Sequence, residues 1–135
     1  MRLLVCGSRD FENEVLVRQI VHDLYFQSTL DSSTREFTLI EGGAIGADAH
    51  AAKFVEQVLK ERDEFVVHKQ YPADWENHGK AAGPIRNKQM LDEGKPDKVL
   101  AFINKPLVES RGTKNMVDIA EKAGLPVIIV ETRSM

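Results

Sequence analysis

The sequence predicts an α/β fold: a doubly wound parallel sheet of about five strands with helices on both faces. Three observations carry this. Strand-like and helix-like patterns alternate along the chain, with no hairpin signal between strands. Most strand-like runs are apolar at successive positions, as parallel strands covered by helices on both sides require. Short strands also run straight into glycine-bearing turns that open helices, as in Leu39-Ile40-Glu41-Gly42-Gly43-Ala44-Ile45-Gly46-Ala47-Asp48.

The first strand is read over Arg2–Cys6 and is followed by Val17, Ile20, Val21 and Leu24 at helical spacing. Ser28–Arg35, rich in Ser, Thr and Asp, reads as a solvated connector. A second strand over Phe37–Glu41 leads through the double glycine into a helix whose apolar stripe is Ala51, Phe54, Val55 and Val58. Phe65–Gln70 is the third strand. Tyr71–Gly83 has no clear periodicity and reads as a long loop, the kind that carries function in a compact domain. A helix from near Pro84 to near Gly94 follows, proline being suited to a first turn. Val99–Ile103 is the fourth strand. Met116, Ile119, Ala120 and Ala123 mark a last helix, stopped by Gly124 and Pro126 before the fifth strand, Val127–Glu131.

The chain has 135 residues, which suits a single domain over 1–135, and 42% hydrophobic with 29% charged residues is ordinary for a soluble core and surface. The net charge of −3 argues against bulk nucleic-acid binding while leaving room for a local basic pocket. Cys6 is the single cysteine, so no internal disulfide forms, and a reducing, cytoplasmic setting is expected. The start, Met1-Arg2-Leu3-Leu4-Val5-Cys6, turns polar too soon for a signal peptide, and no run is long enough to span a membrane. His22, His50, His68 and His78 show no metal-ligand spacing, so neither a metal nor a cofactor is expected.

Open parallel sheets bind ligands at the carboxyl ends of their strands, and every unusual segment here follows a strand. After the first come Gly7, Ser8, Arg9 and Asp10. After the second come Gly42, Gly43, Gly46 and Asp48, where glycine permits a sharp turn and leaves amides beside a helix start to hold a phosphate or carboxylate. After the third come Asp74, Trp75, Lys80, Arg86 and Asn87, the last two placed in a first helical turn. After the fourth comes the segment Asn104–Thr113, with Gly112 and Thr113 as its candidates. Arg9 offers a planar fork to an anion or pairs with Asp10. Asp48 faces ribose hydroxyls or favours the first helical turn. Trp75 stacks on a base or packs the loop. Thr113 caps the last helix or offers its hydroxyl to phosphate.

Taken in order, Gly7-Ser8-Arg9-Asp10-Phe11, Gly42-Gly43-Ala44-x-Gly46-Ala47-Asp48, Ala73-Asp74-Trp75, His78-Gly79-Lys80-Ala81-Ala82-Gly83-Pro84-x-Arg86-Asn87-x-x-Met90 and Gly112-Thr113 with Met116-Val117 resemble the YspA-like branch of the SLOG superfamily. That superfamily is named from DNA-processing protein A and the Lonely Guy enzymes. The resemblance covers nearly the whole chain. It implies a Rossmann-like fold that binds nucleotides or nucleotide-derived ligands at glycine-rich turns. Lonely Guy enzymes release a base from a nucleoside monophosphate with a glutamate in Pro-Gly-Gly-x-Gly-Thr-x-x-Glu. Here the residues after Gly46 are Ala47, Asp48, Ala49 and His50, so that glutamate is not at its family position.

The expected function is therefore capture of a nucleotide-derived small molecule, signalling nucleotides included, at a pocket that a homodimer often completes in so small a domain. The alternative is a hydrolase that cleaves an N-glycosidic bond, for which Asp48 and Glu41, with Asp74, are the candidate carboxylates. A weaker alternative is single-stranded DNA contact through Trp75, Arg86 and Lys88.

Overall fold

The computed structural model describes residues 1–31 and 36–132. At its centre is β1 (Arg2–Gly7), whose Leu3 and Val5 face one way and Leu4 and Cys6 the other, all four buried. The other strands are β2 (Phe37–Glu41), β3 (Val66–Gln70), β4 (Lys98–Ile103) and β5 (Val127–Glu131). They form one sheet in the order β3-β2-β1-β4-β5, every neighbouring pair parallel. This is a Rossmann-like, doubly wound α/β fold.

Two layers of helix cover the sheet. On one face lie α1 (Glu14–Leu30) and α2 (Ala47–Phe54), the latter continuing through a π-helical turn (Val55–Leu59) into the short α3 (Lys60–Arg62). Val17, Val21, Leu24, Ala51 and Phe54 pack there on Leu3, Val5, Leu39, Leu100 and Phe102. The opposite face carries α5 (Ala82–Gly94) and α6 (Arg111–Lys122), with Met90, Met116, Val117 and Ala120 on Leu4, Cys6, Ile40, Val99 and Ala101. The short α4 (Trp75–His78) precedes α5. Among the described residues no helix is long and apolar enough to cross a membrane.

Two expectations from sequence need correction, and a third, made of most strands, holds for the inner three. Ser28, Thr29 and Leu30 are helical, because Ser28 Oγ and Thr29 Oγ1 donate to the Tyr25 and Phe26 carbonyls at 2.7 Å and stay in the last turn of α1. The remainder of that connector, 32–35, lies outside the described residues. Tyr71–Gly83 is not one long loop: α4 and a 3-10 turn (Gly79–Ala81) fill much of it, and segments of four and three residues are too short to display a period. Apolar runs buried on both sides hold for β1, β2 and β4. They fail at the sheet edges, where β3 ends exposed and Ile128 and Ile129 of β5 remain 37% and 44% exposed.

The chain order places the site. From β1 the chain winds outward to β2 and β3, then crosses through α5 to the other side of β1 and continues to β5. The reversal leaves a crevice beyond the carboxyl ends of β1 and β4, at the switch point where open α/β sheets take ligands.

Candidate functional site

A cleft of about 230 Å³ opens there. Its floor is Cys6 and Gly7 from the end of β1, with Met90 of α5. One wall is Ala44 and Asp48, beside the glycine turn, with Arg86 and Asn87 of α5. The opposite wall runs from Lys105 through Glu109 and Ser110 to Arg111, Gly112 and Thr113 at the start of α6. Arg9 closes one end. Among the described residues four cations therefore line the cleft, Arg9, Arg86, Lys105 and Arg111, against two carboxylates, Asp48 and Glu109.

The glycine turn is built differently from the expected phosphate cradle. Asp48 Oδ2 accepts the Gly42 amide at 3.0 Å and the Ala44 amide at 3.3 Å, and Glu41 Oε1 accepts the Gly43 amide at 2.6 Å. Three successive amides thus already have carboxylate acceptors from within the chain. The glycines serve close approach. A Cβ on Gly42 would collide with the Arg86 guanidinium, and one on Gly46, at φ +83°, would collide with the Ser8 and Arg9 carbonyls. Gly42, Gly43 and Gly46 bring Asp48 and Arg86 to the cleft without lining it.

Glu41 is fully buried and does not reach the cleft. Its Oε2 meets His68 Nε2 at 2.7 Å and accepts Gln70 Nε2 at 2.9 Å. His68 Nδ1 lies 3.4 Å from Glu56, and these two carboxylates raise the His68 pKa, the Glu41 hydrogen bond contributing most. Asp48 is buried at the cleft wall. Burial, and then the Glu41 charge, push its pKa up to about 7 against the opposing pull of the Ala44 and Gly42 amides and Arg86. Burial also drives the Cys6 thiol far above its ordinary range, so Cys6 is a neutral part of the floor.

On α5, Arg86 and Asn87 are the fifth and sixth helical residues, because the helix starts at Ala82 rather than near Pro84; they lie in its second turn. Arg86 Nη1 donates to the Gly42 carbonyl at 2.6 Å and Nε to Asn87 Oδ1 at 3.0 Å. Asn87 Nδ2 in turn donates to the Gly112 carbonyl and Asn115 Oδ1, both at 3.0 Å. The pair ties the glycine turn to α5 and α5 to the start of α6. Thr113 does not cap α6, since it is the third residue of that helix. The capping position is Ser110, whose hydroxyl donates to Thr113 Oγ1 at 3.0 Å and makes no capping bond. First-turn amides of a helix have no acceptor within it, and here they border the cleft.

Arg9 does not pair with Asp10; its guanidinium lies over Trp75, 5.8 Å from the ring centroid, while Asp10 approaches Lys105 at 4.0 Å. Ser8 is buried behind the floor, its hydroxyl without a hydrogen-bond partner among the described residues. Asp74 caps α4, giving one oxygen to the Asn77 amide at 3.2 Å and the other to Asn77 Nδ2 at 2.8 Å, contacts that lower its pKa. Lys80 is exposed in the 3-10 turn and does not line the cleft. His50 Nε2 is spent on the Phe11 carbonyl at 2.8 Å. Lys88 pairs with Asp92 at 2.9 Å and does not line the cleft. Among the described residues no group of three or more His, Cys, Asp or Glu is placed to hold a metal ion.

No protein-family model matches the chain. It is 37% identical over 127 residues to the Gene 61 protein of Mycobacterium phage D29, a match that covers 94% of each. The chain belongs to the family of that phage protein.

Sequence reading missed Lys105, Ser110 and Arg111. Arg111 had a usable signal: it directly precedes Gly112-Thr113, at a helix start that follows a strand. Lys105 falls in the Asn104–Thr113 segment that the sequence places at the carboxyl edge, but nothing there singles it out.

Proposed function

We propose that the cleft binds a phosphate-bearing small molecule, a nucleotide or a nucleotide-derived ligand. The observation that carries the reading is the local excess of cations, four against two carboxylates among the described residues, in a chain whose net charge is −3. Three further facts support it. The cleft lies at the switch point of the sheet, the amino end of α6 borders it with the positive end of its dipole, and the motif blocks resemble those of the SLOG superfamily. In this reading Arg111 and Lys105 meet the phosphate, Arg86 adds a second fork, and Asp48 limits how much negative charge the inner wall accepts.

A second reading is kept because of Asp48. A carboxyl group of pKa about 7 in a cleft wall is able to give a proton to a departing base and take one from water. Glu41 and Asp74 have no part in it, the first being sealed behind the glycine turn and the second occupied as a cap.

One experiment addresses both. Calorimetric titration with nucleoside monophosphates is run on wild type and Arg111→Ala, with base release followed in parallel. Loss of one charge-assisted contact is worth about 1.5–3 kcal/mol. Arg111→Ala should therefore bind at least tenfold more weakly, with unchanged thermal stability and no base released by either protein. Equal affinity of the two proteins contradicts the binding reading. Sustained base release by wild type that is lost in Asp48→Asn favours the hydrolase.

A further inference from the structure

We propose that Trp75 is a stacking platform for the aromatic base of the ligand, the contact by which the cleft distinguishes nucleoside phosphates from sugar phosphates. This rests on the phosphate-binding reading above and adds the part of the ligand that the cleft does not enclose. At about 230 Å³ the cleft is smaller than the roughly 300–1,000 Å³ of pockets that take in a whole ligand. Its walls carry four cationic side chains, suited to the phosphate and sugar, so the rest of a nucleotide lies at the rim.

Trp75 is at that rim, held on one side by the cleft residue Arg9 and on another by Gly83 of α5. Arg9, which lines the cleft, lies over the indole at 5.8 Å from the ring centroid. The far edge of the ring rests on α5 at Gly83, where an added Cβ would come within 3.5 Å of Trp75 Cη2, and Gly83 is one helical turn before the cleft residue Asn87. The backbone beneath the ring is fixed as well, because Asp74 uses both carboxyl oxygens to cap α4. Yet half of Trp75 stays exposed. A large aromatic side chain that only packed its loop would bury most of its surface. This one is anchored at its edge and on the Arg9 side and leaves surface open next to a guanidinium, the combination on which bases stack in sequence-tolerant fashion.

Trp75 is the single tryptophan of the chain, so its fluorescence reports directly on the contact. The four common ribonucleoside 5′-monophosphates and ribose 5-phosphate are titrated into wild type, Trp75→Leu and Trp75→Phe, with calorimetry for affinity and fluorescence for wild type. Nucleoside monophosphates should bind wild type roughly tenfold or more tightly than ribose 5-phosphate and should change its emission, which ribose 5-phosphate should not. Trp75→Leu should lose the preference for the base while keeping its affinity for ribose 5-phosphate, and Trp75→Phe should retain most of the preference. Equal affinity of wild type for both ligand classes, or a preference that survives in Trp75→Leu, overturns the platform and leaves the phosphate site standing. Failure of every ligand to bind wild type overturns both.

Discussion

Asp48 and Glu41 divide the amides of one turn between them, Gly42 and Ala44 to the first and Gly43 to the second. Burial first, and then the charge of Glu41 in so small a space, raise the pKa of Asp48, which lacks a histidine partner like that of Glu41. The sign for stability follows. Between about pH 3.8 and 7 the folded chain holds a proton on Asp48 that the unfolded chain has released, so this group makes the fold less stable as pH rises across that window. His68 acts in the same direction for the opposite reason. Its raised pKa is a stabilisation that is complete below its ordinary value of 6.5 and is lost as pH climbs through the folded value. Glu56 and Asp74, whose pKa values are lowered, lose their contribution only in acid. Stability should therefore peak on the acid side of neutrality. Asp48→Asn keeps an oxygen for the two amides and removes the charge. Urea unfolding from pH 4 to 8 should show the wild type losing up to about 4 kcal/mol to this group, and Asp48→Asn much less below pH 7. A wild-type stability that rises steadily from pH 4 to 8 contradicts this assignment. At this scale the sequence shows which residues are polar near strand ends and not which partners they take. Asp48, Arg86 and Asn87 were visible as polar residues in segments that follow strands, and Glu41 as the polar end of one. That Asp48 would face Gly42 and Ala44, and Glu41 His68, depends on the register of β2 against β3 and on the path of the turn, neither of which is written in local sequence.

The glycines show what the turns require. Gly46 opens α2 at φ +83° with the Ser8 and Arg9 carbonyls against its Cα, so Gly46→Ala combines left-handed backbone strain with a collision against main chain that cannot move aside. It should cost about 1–3 kcal/mol or more in thermal unfolding. Gly112, in the first turn of α6, has open space where its Cβ would go and no positive φ, and Gly112→Ala should be neutral or stabilising by up to about 1 kcal/mol. If both variants unfold like wild type, the turn does not depend on the contacts described. Element order and most boundaries were legible because burial writes period and composition into the chain: Phe37–Glu41 and Val127–Glu131 were read to the residue. Where local hydrogen bonds set the structure, the reading failed. Ser28 and Thr29 look like loop residues yet finish α1, and α4 is too short to carry a stripe.

Over the whole molecule the order β3-β2-β1-β4-β5 does what no single motif does. It brings the residues after β1, β2 and β4 and the wall of α5 to one crevice, concentrating cations in an acidic chain. The convergence of unusual segments on the carboxyl edge was legible from sequence. The side of the crevice that offers amides was not: the glycine turn supplies its own acceptors, and the role left to main-chain donors passes to the start of α6. The most direct test is a titration of isotope-labelled protein with adenosine monophosphate, followed by amide NMR. The amides of Arg111, Gly112 and Thr113, with Gly7 at the floor, should shift together and saturably, and those of Gly42 and Gly43 should move much less. Shifts centred on Gly42 and Gly43, or a spectrum unchanged at millimolar nucleotide, would contradict the account.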